Sequence, residues 1–183
     1  MASAESQGRD PKKPFTPAEL KSIQLAVSWL EEYHAGYVHI ERMRAAGDVV
    51  NESPLDRFFE LATTAILDGF YPPGGQTGLI PILRLVGCKH LADSIEGALN
   101  RQVGSSTFAE IQNLLRDKTI AHPQFTAKAA QPFVDSFNQN LQRPEDIDAF
   151  CDAAYIVKRD TAAAFLWFKQ CLPELVAHAT SKP

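Results

Sequence analysis

The stretch TPAELKSIQLAVSWLEEYHAGY, residues 16–37, opens with a helix start and continues with a helical period. Thr16 can cap a helix with its side chain, Pro17 suits the first helical position, and Glu19 completes a capping box. Leu20, Ile23, Val27, Leu30, His34 and Tyr37 then recur at three- and four-residue steps, which predicts a helix to about Arg44 with one buried stripe. Gly47 marks its exit. The same grammar repeats downstream. Ser53-Pro54 starts a second helix, whose apolar face is Leu55, Phe58, Phe59, Ala62, Ile66 and Phe70, and Tyr71-Pro72-Pro73-Gly74-Gly75 stops it. Ile82, Leu85, Cys88, Leu91, Ile95 and Leu99 predict a third helix from Leu79 to about Asn100, with Pro81 tolerated near its start. Gly104 and Ser105 separate it from a fourth, capped by Thr107 with Glu110, which buries Phe108, Ile111 and Leu115 and ends at Pro123.

A shorter helical stretch is expected around Pro132 to Leu141. The last helix begins at Pro144 and runs to about Leu172, with Ile147, Phe150, Ala154, Thr161, Phe165 and Phe168 inward and Pro173 kinking or ending it. No strand and no internal repeat is evident. The fold class is therefore all-α, a helical bundle of five or six helices, four of them long. Residues 1–15 read as a disordered lead-in, 16–178 as a single helical domain and 179–183 as a tail.

Composition narrows the function. A chain of 183 residues, 45% apolar, supports one domain with a real core. Its formal net charge of −4 excludes a general nucleic-acid coater, so contact with RNA or DNA has to come from a local patch or an interface. Cys88, Cys151 and Cys171 lie far apart without a CxxC pair, which fits reduced thiols in a cytoplasm. Met1 to Lys13 holds no apolar signal core, and no run of about 18 apolar residues occurs. A cytoplasmic protein without membrane contact is expected.

The chemistry concentrates in LLRDKTIAHP, residues 114–123, where an arginine and a histidine stand near a helix end. Six residues on a straight helix advance about 9 Å and turn the side chain roughly 120° away. Arg116 and His122 thus cannot share one face of an ideal helix. Pro123 disfavours helical backbone at His122, which frees the ring to swing toward a groove. Pairing of two copies about a two-fold axis would bring both residues of both chains into one cleft.

The string, with five residues between Arg116 and His122, resembles the signature of HEPN domains, and LRDKTIAHP is closest to the abortive-infection type. That resemblance implies a HEPN-like four-helix core, a homodimeric site formed by Arg116, Asp117 and His122, and metal-independent cleavage of RNA without a cofactor. It also implies a toxin or defence role. The residue types suit the reaction. A histidine titrating near neutral pH can take a ribose 2′-hydroxyl proton or protonate the leaving 5′-oxygen. An arginine fork matches phosphate oxygens and stabilises the charge of the pentavalent transition state. Asp117 is expected to orient the pair, and Lys118 to add a substrate phosphate contact. In family toxins neutralised by a nucleotidyltransferase partner, a tyrosine stands two residues after the histidine. Gln124 occupies that place here, so a different antitoxin or regulatory protein is the expected restraint.

Other constellations carry less. The alternative to an enzyme is a non-catalytic helical module that keeps the motif for nucleotide binding or dimer packing. The glycines of Pro72–Gly78 lack the lysine and hydroxyl of a phosphate loop and follow no strand, so they form a connector. Glu31 and His34 make one half of a di-iron motif whose other half is missing, and no metal is expected. His34, His39 and His90 are packing or surface residues. Glu145, Asp146 and Asp148 sit in the first turn of the last helix, where the dipole favours them and a solvated role suffices. No strand-turn-helix elbow presents a serine for acyl transfer.

Overall fold

The structure, a computed structural model, describes residues 14–47, 78–115 and 127–180. The expected helix from Ser53 to Phe70 and the connector from Pro72 lie outside the described residues. The fold is all-α: α1 (Pro17–Ala45), α2 (Leu79–Leu85), α3 (Lys89–Leu99), α4 (Phe108–Leu115), α5 (Ala127–Asn140), α6 (Pro144–Cys171) and α7 (Pro173–Thr180). A minimal antiparallel hairpin, β1 (Gln102–Val103) with β2 (Ser106–Thr107), precedes α4. Among the described residues no helix is long and apolar enough to cross a membrane.

The caps at α1 and α4 form as their sequences dictate. Thr16 N donates to Glu19 Oε2 at 2.6 Å, and Thr16 Oγ1 accepts from Glu19 N at 3.3 Å. Thr107 and Glu110 repeat the exchange at 2.7 and 3.3 Å. Each box satisfies two amide donors that helix geometry leaves without partners.

α6 is the central element, with α1, α3, α4, α7 and β1 packed on it. Ile23, Val27 and Leu30 of α1, Ile95 and Leu99 of α3, and Phe168 of α6 are fully buried. The α1 stripe holds from Ile23 through Leu30, with Leu20 half-buried; beyond it Tyr33 and Ile40 enter the core, while His34 and Tyr37 are half-buried. A 3.6-residue period drifts against three- and four-residue steps, so adjacent positions exchange places along a long helix.

Three expectations are corrected. The helix predicted over 79–100 divides at Val86–Gly87–Cys88. Gly87 N donates to Arg84 O at 3.1 Å and Cys88 N to Leu83 O at 2.8 Å, with Gly87 at φ +91°. This is the paired bonding of a Schellman stop, which needs a left-handed residue after the helix and therefore favours glycine. Arg84 spans the break to Asp93 (2.9 Å) and Glu96 (2.5 Å) of α3. The expected absence of strands fails at Gln102–Thr107, too short to show a period of two. Finally, Ile147 is 46% exposed and Phe150 and Ala154 are half-buried, whereas Ala153, Val157, Thr161, Phe165 and Phe168 face inward.

Thr161 is fully buried, and its Oγ1 has no hydrogen-bond partner among the described residues. Such a hydroxyl loses its hydration without compensation, a penalty of about 1–3 kcal/mol. Thr161→Val keeps the shape and removes the penalty, so urea unfolding should show a higher midpoint with an unchanged slope. A lower midpoint would show that the hydroxyl is bonded.

Candidate functional site

Arg116, Asp117, Lys118 and His122 lie outside the described residues. What is described is the frame on either side. α4 ends at Leu115, immediately before Arg116, and α5 begins at Ala127. Phe108 and Ile111 bury the inner face of α4, with the Phe108 ring 5.1 Å from that of Phe150 on α6.

The start of α4 and the end of α5 meet in a polar knot around the turn Gly104–Ser105. Asn140, 1% exposed, accepts at Oδ1 from Ser105 N (2.9 Å) and Ser105 Oγ (2.8 Å). Its Nδ2 donates to Ser136 O at 2.8 Å. Asp146 accepts at Oδ1 from Gly104 N (3.1 Å) and takes a two-point bond from Arg143, Nε to Oδ2 at 2.8 Å and Nη2 to Oδ1 at 2.9 Å. Asp146 is 8% exposed, so its expected solvated role is corrected: this carboxylate bridges the hairpin to α6, while Glu145 and Asp148 are exposed. Because the chain entering α4 meets the chain leaving α5, and the two helices pack together, they run antiparallel from a shared base. Residues 116–126 connect their other ends.

Gly104 is required twice over in this knot. It has φ +60°, and a Cβ there would stand 2.7 Å from Asn140 O. Asparagine tolerates left-handed backbone but cannot remove that overlap. At Gly87 the same Cβ would meet nothing within 4 Å. Gly104→Asn should therefore lower the thermal midpoint by several degrees and Gly87→Asn by much less; equal losses would mean that backbone conformation alone decides.

The Arg143 guanidinium and then the Gly104 amide hold the Asp146 carboxyl below its ordinary value of 3.8, against the opposing effect of burial. A depressed folded-state value contributes stability that is present above the unfolded value and lost as pH falls through the folded one. The stability difference between wild type and Asp146→Asn should be fully expressed above about pH 4 and shrink toward pH 2. Urea titrations across that range check it, and a constant difference would exclude the linkage.

The residues considered for metal do not converge. Glu31 is exposed, whereas His34 turns to α6, its Nδ1 donating to Ala162 O at 3.2 Å and its ring 5.4 Å from Phe165. Among the described residues no three His, Cys, Asp or Glu side chains gather as a metal site. His39 and His90 are exposed. All three cysteines are free; burial pushes the Cys88 thiol up to about 11, which keeps it protonated and unreactive.

A second buried polar group belongs to no sequence motif. Asp160 lies at a core position of α6 between Val157 and Ala164, where it meets Ser94 of α3 and its neighbour Arg159. The available signal was a charged residue in an otherwise apolar stripe. Comparison with protein-family models, with curated proteins and with solved structures found no match to this chain.

Proposed function

We propose that this chain is a metal-independent endoribonuclease of the HEPN kind. Arg116, Asp117 and His122 form its cleavage site in a homodimer, and Lys118 contacts a substrate phosphate. The observation that supports this reading is the sequence LLRDKTIAHP itself, whose first two residues close α4 of an all-helical fold. α4 and α5 leave a shared, hydrogen-bonded base, and the segment bearing the motif joins their far ends. Two copies meeting at that end would supply the second arginine and histidine that the spacing requires.

In the proposed reaction His122 of one copy removes the proton from a ribose 2′-hydroxyl as its oxygen attacks the adjacent phosphorus. The bond to the 5′-oxygen breaks, and the other histidine returns a proton to that leaving group. Arg116 balances the charge that grows on the phosphoryl oxygens, and Asp117 holds the cationic groups in place. The products are a 2′,3′-cyclic phosphate and a 5′-hydroxyl.

Purified protein should cut single-stranded RNA in excess EDTA. Arg116→Ala and His122→Ala should each slow cleavage by about a hundredfold or more, in the range of general acid–base and charge-stabilising contributions. Undiminished cleavage in both variants, or none by wild type on any RNA tried, would transfer the motif to the alternative role, a non-catalytic nucleotide-binding or interaction module.

A further inference from the structure

Three of the five large apolar side chains left exposed among the described residues lie on α6: Ile147, Tyr155 and Leu166, at 46%, 52% and 51%. They share one side of the helix. Ile147, the exposed Cys151, Tyr155 and Arg159 follow one another at four-residue steps, which makes a ridge on a helix surface. Leu166, eleven residues past Tyr155, returns to within about 20° of it. From Ile147 to Leu166 the ridge runs about 28 Å.

Charge divides along the same helix. The exposed acids Glu145, Asp148 and Asp152 stand in its first half, and its bases, Lys158, Arg159 and Lys169, all stand in the second. The helix dipole favours such an order only within the terminal turns, and Asp152, Lys158 and Arg159 lie beyond its reach. A helix with acids first and bases last is complementary to a reversed copy of itself. Asp152 and Arg159 are seven residues apart, which places them on one flank of the ridge. The Asp152 side chain is 72% exposed and meets Arg101 at 3.4 Å. Arg159, 47% exposed, gives its Nε to Asp160 at 2.6 Å, and its guanidinium carbon lies 5.5 Å from the centroid of the Tyr155 ring. Four of its five donor hydrogens remain beyond that bond.

We propose that this ridge is a homodimer contact, in which two copies of α6 lie antiparallel about a two-fold axis. A single register serves the charged and the apolar groups together. Opposing Asp152 to Arg159 of the other copy centres the axis between residues 155 and 156, and opposing Ile147 to Leu166 centres it between 156 and 157. The two requirements differ by one residue, about 1.5 Å along the helix. Tyr155 then stands beside the axis, near its own copy. A parallel pair would set acid against acid and base against base, which is repulsive. An unrelated protein could cover the ridge, but the complement that its charge order calls for is α6 itself. The contact involves no residue of 114–123 and holds whether or not the chain cleaves RNA.

The test is sedimentation equilibrium of the full chain. Wild type should be dimeric at micromolar concentration. Ile147→Glu and Leu166→Lys should each raise the dissociation constant about tenfold or more, because each places two unpaired charges in the contact. The double variant should recover most of that loss, since the antiparallel register sets each new acid against a new base of the other copy. Within one chain the two positions are about 28 Å apart and cannot pair. Leu25→Glu, at a 65% exposed position of α1, should change nothing. All these side chains are exposed, and thermal melts check that the variants fold. The proposal is overturned by a monomeric wild type, by a dimer that both single substitutions leave intact, or by no recovery in the double variant. A dimer that survives both substitutions is assembled on another surface, such as the end of α4 invoked for cleavage, so this contact and that reading fail separately. A monomeric wild type whose melting midpoint falls on Ile147→Glu would assign the ridge to residues 48–77 of the same chain and overturn the proposal too.

Discussion

The burial of α6 on several sides at once is the constraint from which the other placements follow. Phe168, Phe165, Val157 and Ala153 face the core, with α1 and α3 as its main neighbours and α4, α7 and β1 against the remaining surface. Area-proportional transfer from water supplies the drive but no direction. Direction comes from shape: the small Ala153 and Ala164 and the large Phe165 and Phe168 are all buried along the inner face of α6. His34 reinforces that contact by donating to a carbonyl of α6 while its ring lies against Phe165.

Polar groups then fix what apolar burial leaves adjustable. α6 carries two sequestered carboxylates, Asp146 near its start and Asp160 past its middle. Each is tied to an arginine of its own segment and to a donor from another element: Gly104 N for Asp146, Ser94 Oγ for Asp160. A buried acid tolerates few alternative partners, so each sets the register of a neighbour against α6. The hairpin is held against its start and α3 against its second half. Asn140 adds the third polar anchor, joining the end of α5 to the entry of α4.

Much of the architecture was legible in local sequence. The capping boxes at Thr16 and Thr107, the proline starts at Pro17 and Pro144, and the stop before Pro173 depend on residues within one turn of each other, and all form. The stop at Gly87 was equally local but hidden, because Cys88 and Leu91 continue an apolar period across it. The hairpin was too short to announce itself. Ile147 was placed inward by periodicity, yet the first turn of α6 is oriented by Asp146, whose partners lie in another element. As for the candidate site, the string at 114–123 offers residue types suited to acid–base and phosphate chemistry, while any convergence of those residues depends on how chain segments meet in space.

The sequence by itself determined the helical class, most helix starts, and which residues could carry acid–base and phosphate chemistry. These follow from propensity, capping and side-chain type, all of which act over a few bonds. Only the tertiary structure decided that Asp146 and Asp160 are sequestered and that Asn140 closes the α4–α5 base. Those properties arise between residues distant along the chain, and no local pattern encodes a partner that packing alone brings near.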